Sequence, residues 1–262
     1  MDALDANLEK IGLLGPQVGR VLSLVDLIKL GTMPLNLAAY LMSEIRDGAS
    51  VLVGARAGRA GKTTLMGALL GVIPSSDRIV VIEHAGMMKG LKRGTRRSPK
   101  TYVVHEISNH GPRHGPYLWG PAAVDATRLV GPYTRLVSSL HADTIKEVRA
   151  AFRTCGSVEA MNVFDSIVFI KRFRHGSRRV VDNVWRFDAS SKSFELAYSG
   201  AEGFSSALDG HLESRKKELA EWETFLKRCI RQGISAIEDV AYALREYSSS
   251  REVKAEYAEP LS

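Results

Sequence analysis

Cysteine is scarce in this 262-residue chain. Cys155 and Cys229 are the only two, which excludes a disulfide scaffold and favours a reducing compartment. No apolar run approaches the roughly 18 residues that a membrane span requires. The first ten residues carry acids where a secretory signal carries bases, so no leader is expected and the chain reads as cytoplasmic. Aromatic residues make up only 7%, and few of them stand among the basic ones. That weakens any stacking platform for single-stranded nucleic acid, which is not an expected partner. What is present is ordinary for a soluble globular protein, with 45% hydrophobic and 25% charged residues. Thirty-six basic against 29 acidic residues give +7, a balance compatible with nucleic acid, nucleotide or anionic membrane that singles out none of them. The length is about 1.7 times a typical domain, so one large domain, or one domain with an appendage, is expected.

Along the chain, residues 22–45 carry apolar positions at helical spacing, interrupted by Gly31 and Pro34. Two helical pieces around a turn are predicted. Residues 50–54 form a short apolar run entering a Gly-rich loop, a helix of good formers follows at 63–70, and residues 78–82 form a second apolar run. Strand, loop, helix and strand within about 35 residues make a βαβ unit of a parallel sheet. Residues 87–100 hold six bases (Lys89, Lys92, Arg93, Arg96, Arg97, Lys100) and no acid, the mark of an exposed, solvated loop. Further strands are predicted at 102–107 and 136–140, helices at 122–130 and 145–152, and a hairpin over 164–187. A linker-like stretch at 199–210 precedes two helices, 212–230 and 237–247, joined near Gly233. The expected organisation is an extension over 1–20, a core over 21–200, a helical pair over 205–250 and a frayed tail over 251–262.

Ala60-Gly61-Lys62-Thr63-Thr64 lies between a predicted strand and a predicted helix. Backbone N–H groups at a helix start present partial positive charge to a phosphate, and Gly61 lets the backbone approach closely. In such a loop Lys62 reaches the β- and γ-phosphates and the Thr63 hydroxyl holds magnesium. Arg56, Gly58, Arg59 and Thr64 complete the candidate binding set. One departure stands out: the full phosphate-loop pattern places glycine five residues before Gly61, and here that residue is Arg56. Its side chain either reshapes the loop or supplies a cation to the phosphate.

The residues around this loop resemble a family. Asp26-Leu-Ile-Lys-Leu-Gly-Thr-Met33, Ala38-Ala-Tyr-Leu41 and the run before the loop are similar to the secretion ATPases of type II and type IV secretion, type IV pili and archaella, most of all to the archaeal-type motors. Ile73-Pro-Ser-Ser-Asp-Arg-Ile-Val-Val-Ile-Glu83 resembles the family strand that ends in an acidic box, and Ser138-Ser-Leu-His-Ala-Asp-Thr144 its histidine box. The helical tail over 218–247 resembles the closing pair of the archaeal branch. The resemblance runs over about 21–247. Only some 20 residues precede it, so the family's separate N-terminal domain is expected to be missing from this chain.

The resemblance implies an α/β fold, a RecA-like P-loop NTPase core with a predominantly parallel sheet and a C-terminal helical appendage. It implies ATP and Mg2+ as cofactors, Glu83 as the water-polarising carboxylate and His141 as γ-phosphate sensor. It also implies a ring, possibly hexameric in the family manner, of further copies or of a paralogous ATPase, facing a membrane platform protein from the cytoplasm. Departures bear on turnover. The acidic box reads Glu83-His84, and the best counterpart of the family's Walker B run is 120–126, which puts Pro121 and Ala123 where Glu and Arg are usual. A proline cannot organise magnesium or water, so slow turnover is expected unless Glu106 or Asp125 substitutes. The alternative expectation is a hydrolysis-deficient nucleotide-binding or structural subunit. His105, His110 and His114 cluster in sequence, but their spacing fits no common zinc signature.

Overall fold

The computed structural model describes residues 2–14, 19–108, 117–173 and 178–258, with side chains described to residue 250. Helices α1 (Ala3–Leu14), α2 (Leu24–Lys29) and α3 (Leu35–Arg46) precede the loop-bearing unit of β1 (Val51–Gly54), α4 (Lys62–Leu70) and β2 (Arg78–Ile82). There follow β3 (Lys100–Ile107), β4 (Tyr117–Leu118), α5 (Pro121–Thr127), β5 (Thr134–Leu140), α6 (Ile145–Cys155), β6 (Ser166–Arg172), β7 (Arg179–Asp188), β8 (Ser193–Ser199) and β9 (Gly203–Phe204). Helices α7 (Asp209–Ser214), α8 (Lys216–Arg231) and α9 (Ile237–Ala258) close the chain.

The strands form one sheet in the order β2-β3-β5-β1-β6-β7-β8-β9, with β4 beside β3. Pairing is parallel from β2 through β6, and antiparallel from β6 through β9. The fold is therefore α/β with a largely parallel centre, as the βαβ pattern implies, and β1 lies in its middle.

Both faces of that centre are covered, which is why β1 is buried at every position. Alternation sorts its side chains. Val51 and Val53 join one apolar layer with α1–α4, while Leu52 joins the other with α5 and α6. Val168 and Ile167 divide the same way on β6, as do Val137 and Leu136 on β5. Local signals fix the helix ends. Ser23 and Asp26 form a reciprocal capping box at α2. Thr144 caps α6 through the Glu147 amide, and Gly156 ends it in the left-handed conformation.

Two features differ from the sequence expectation. The helix predicted over 212–230 is interrupted at Arg215, whose backbone leaves the helical region (φ −111, ψ 7) where α7 gives way to α8. The linker-like stretch after residue 199 instead adds β9 to the sheet edge. The two closing helices share the apolar layer of α3 and α4, through Trp222, Phe225, Leu226, Ile237 and Val240. The basic stretch is pinned at its backbone: the Lys92 carbonyl accepts from Lys100 Nζ (2.7 Å) and the Tyr102 hydroxyl (2.8 Å).

Candidate functional site

The site is built where three parallel strands end. β1 feeds the loop 55–61, β3 brings Glu106, and β5 ends at Leu140, one residue before His141. Gly54 lets the strands approach. A Cβ there would stand 2.6 Å from the Phe169 ring and 2.8 Å from the Ala142 carbonyl oxygen. The loop turns through left-handed residues at Arg59 (φ 58) and Gly61 (φ 104). Only glycine adopts the second value without strain. Gly61 is the N-cap of α4 and offers no side chain to the first-turn amides.

Lys62 is 8% exposed and Glu106 5%. The Lys62 ammonium donates to the Ala55 carbonyl (3.3 Å) and stands 3.7 Å from Glu106 Oε2 and 3.4 Å from both ring nitrogens of His141. Burial depresses the Lys62 pKa below its ordinary value, and the nearby Glu106 carboxylate only partly offsets it. His141 Nε2 lies 3.2 Å from Glu106 Oε2, and its Nδ1 lies 3.1 Å from the Arg56 carbonyl. Lysine, carboxylate and imidazole thus meet in one cluster, none of their mutual contacts shorter than 3.2 Å.

The Arg56 side chain is held by acids. It pairs with Glu147 and stands 3.8 Å from Asp143, on the turn that opens α6. Over the loop lies Arg179, the first residue of β7, whose Nε donates to the Arg59 carbonyl (3.0 Å) and whose Cδ covers Gly61. Beside it opens a cleft of about 320 Å³ with an apolar wall of Leu22, Leu27, Leu30, Leu65 and Ile170. Ala60, Gly61 and Thr64 form its floor, while Gly58 sits at the exposed outer turn and Thr63 on the first turn of α4.

Lys62 and His141 are therefore brought together, and Glu83 is not brought to them. Glu83 follows the edge strand β2, its amide donates to Met87 Sδ (3.5 Å), and it borders a separate groove with Lys10, Arg78, Lys100 and His105. Pro121 opens α5 behind the N-cap Gly120. The carboxylate that faces Lys62 is Glu106, which sequence reasoning held only as a substitute. The register between β3 and β5 shifts between Val104 and Ile107, an irregularity of the kind that re-aims a side chain. That shift has no sequence signature, although a Glu closing an apolar run was visible. Arg179 was missed altogether, because only the fold brings the hairpin over the loop. Asp125, the other substitute, pairs with Arg128 in an exposed bridge. Among the described residues no group of three or more His, Cys, Asp or Glu can hold a metal ion, while His110 and His114 lie outside the described residues.

No protein-family model matches the chain, and no curated protein does. The solved structures similar to it include two ATPases. One is the VirB11 ATPase from the Brucella suis type IV secretion system in complex with sulphate, at 17% identity and TM-score 0.41 over 62% of this chain and 54% of that one. The other is the Legionella pneumophila ATPase DotB, at 11% identity and TM-score 0.43 over 82% of this chain and 59% of that one. This chain thus spans little more than half the length of either. Among the described residues no helix is long and apolar enough to cross a membrane.

Proposed function

We propose that the chain is an ATP-binding, ATP-hydrolysing subunit of the secretion-ATPase type. The observation that carries this reading is the meeting of buried Lys62 with Glu106 and His141 at the start of α4. The donor set fits a magnesium polyphosphate. Gly61 leaves the first-turn amides of α4 without a side-chain cap, and a helix start with free amides favours an anion. A desolvated ammonium beside them gains most from phosphate charge. Arg56 is held by Glu147, and the cation that lies over the loop is Arg179.

In this reading Lys62 exchanges its loose contact with Glu106 for phosphate oxygens, and the amides of residues 61–64 hold the β-phosphate. Thr63 is the protein ligand of magnesium, which supplies positive charge to the phosphates when bound. Glu106, released from Lys62, orients a water and takes up its proton. His141, in contact with Glu106, reports on the phosphate end. The water-polarising role expected of Glu83 falls to Glu106, and the acid-lacking run at Pro121 then no longer argues against turnover. The resemblance further suggests a ring of copies or a paralogous ATPase, working against a membrane platform protein from the cytoplasmic side.

Phosphate release with magnesium and ATP, compared between the wild type and Lys62→Ala, tests the reading. Turnover in the wild type and its loss in the variant are expected. Equal background rates would remove the enzyme. A thermal shift separates binding from turnover, since a ligand at 100 times its Kd stabilises by about 2.7 kcal/mol.

A further inference from the structure

Arg56 occupies the position where a phosphate loop ordinarily has glycine, and the structure gives each of its parts a partner. Its amide donates to Asp143 Oδ1 (2.6 Å), its carbonyl faces His141 Nδ1 (3.1 Å), and its guanidinium pairs with Glu147. Glu147 in turn accepts from the Asp143 amide (2.7 Å), so the loop after β1 is stitched to the turn between β5 and α6. We propose that Arg56 is a positioning residue: by tying its own peptide to Glu147 and Asp143 it sets the orientation and proton arrangement of His141.

The argument turns on donors and acceptors. A carbonyl only accepts, so the contact with Arg56 puts a hydrogen on Nδ1. The other nitrogen, Nε2, then points at the Glu106 carboxylate from 3.2 Å. A neutral ring has one N–H and has already used it. With the hydrogen on Nδ1, the Nε2 lone pair accepts, and the Lys62 ammonium stands 3.4 Å from it and 3.7 Å from Glu106 Oε2, bridging imidazole and carboxylate. One backbone carbonyl thereby decides which ring nitrogen of His141 carries the hydrogen and which faces Lys62 and Glu106. The charged or titratable groups that bear on the ring are Lys62 from α4, Glu106 and its neighbour His105 from β3, Arg56 from the loop, and Asp143 and Glu147 from the turn and α6.

The Arg56–Glu147 pair is poorly placed to serve stability. The Arg56 side chain is 67% exposed and that of Glu147 30%, and exposed ion pairs contribute little to the fold. What it fixes is local: Ala55 is tied to Leu140 and Lys62, and Arg59 to Arg179, while the Arg56–Glu147 pair acts at the residue whose carbonyl meets His141. For catalysis the inference rests on the nucleotide reading above, but the geometry it asserts is measurable without nucleotide.

The test combines ring-nitrogen NMR of 15N-histidine-labelled full chain with the kinetics of phosphate release. His141 signals are assigned by their loss in His141→Gln. The wild type is expected to show the tautomer with hydrogen on Nδ1. In Arg56→Ala the ring should average between the two tautomers. The kcat should fall about tenfold with KM little changed, as expected when a group is misoriented and not removed. Glu147→Gln should act in the same direction, and Arg56→Lys, or Arg56→Glu combined with Glu147→Arg, should restore most of the signal. Unchanged His141 signals in Arg56→Ala would overturn the proposal. A purely KM effect would also overturn it, since Arg56 would then be a phosphate-binding cation. If the wild type neither binds nor hydrolyses ATP, the nucleotide reading fails, and the ring spectra still decide what Arg56 does.

Discussion

Two buried clusters of charge differ in how tightly they are closed. Around Lys62 the contacts run from 3.3 to 3.7 Å and involve one carboxylate. Around Arg215 the guanidinium pairs closely with Glu44 and Asp47, bonds Ser43 Oγ at 2.5 Å and reaches Glu218 at 3.1 Å. His211 adds a contact to the same Glu44 at 3.1 Å. Burial opposes the charge in both places. It prevails at Lys62, whose pKa is lowered, whereas at Arg215 the combined pull of Asp47, Glu44 and Glu218 outweighs it and the pKa is raised. In the proposed function the buried cation with unspent capacity receives a ligand's charge, while the one with its donors engaged holds helices in place.

Substitutions in the two clusters put this contrast to the test. The largest expected effect is at Glu106: Glu106→Gln should lower kcat for phosphate release by about 10²–10⁴-fold, the usual contribution of a positioned base. The urea midpoint should change little, because the amide keeps the shape and leaves Lys62 with one acceptor fewer in a cluster already loose. Arg215→Ala should do the reverse. It takes from Glu44, whose side chain is 8% exposed, its closest cation and leaves it only His211 and the more distant Arg186; removal of one partner from a buried pair costs about 3–5 kcal/mol. Urea denaturation should show that loss, with ATP affinity measured on the folded fraction intact. If Arg215→Ala abolished nucleotide binding while leaving stability alone, the division between the clusters would be wrong.

Gly54→Ala should cost about 1–3 kcal/mol by overpacking, because the new methyl meets the Ala142 backbone as well as a ring. It should also impair the site, since Ala142 follows His141. Activity loss without a stability loss would mean that the strand ends relax more freely than this contact allows.

The smallest effect is in pH. Burial, opposed by Glu106 and reinforced by Lys62, holds the His105 pKa below its ordinary 6.5. The unfolded chain then takes up a proton before the folded one does. The stability that His105 contributes is complete above pH 6.5 and is lost as pH falls from there to the depressed folded value. Denaturation at pH 7.5 and 5.5 should show a shallower acid loss in His105→Phe, whereas the Arg215 cluster keeps its guanidinium charged throughout that window.

Much of this arrangement was legible in the sequence, and what was not has a physical reason. The strand, loop and helix over 51–70 announced themselves by an apolar run, glycines and a run of helix formers. His141 came from the residues flanking it. The cap residues Thr144 and Gly156, which bound α6, are of the kind that local rules read. The place of Glu106 depends on a register irregularity between two strands about 35 residues apart in the chain, and no local pattern encodes a pairing. The break at Arg215 was hidden for a similar reason. Residues 212–230 read as one helix, and what accompanies the break is an ion cluster drawn largely from the end of α3.

Helix α4 starts at the lysine of the site and runs into Gly71, and there it is met by the first residue of α9. A methyl group on Gly71 would lie 2.7 Å from the Ile237 side chain, so that side chain is seated directly on the Gly71 backbone. The same junction is fastened from the other side, where Ser23 Oγ and Arg20 both donate to the Ser235 carbonyl. The nine residues of α4 therefore join the two ends of one junction, with Lys62 at the loop and Ile237 of the tail helices against Gly71.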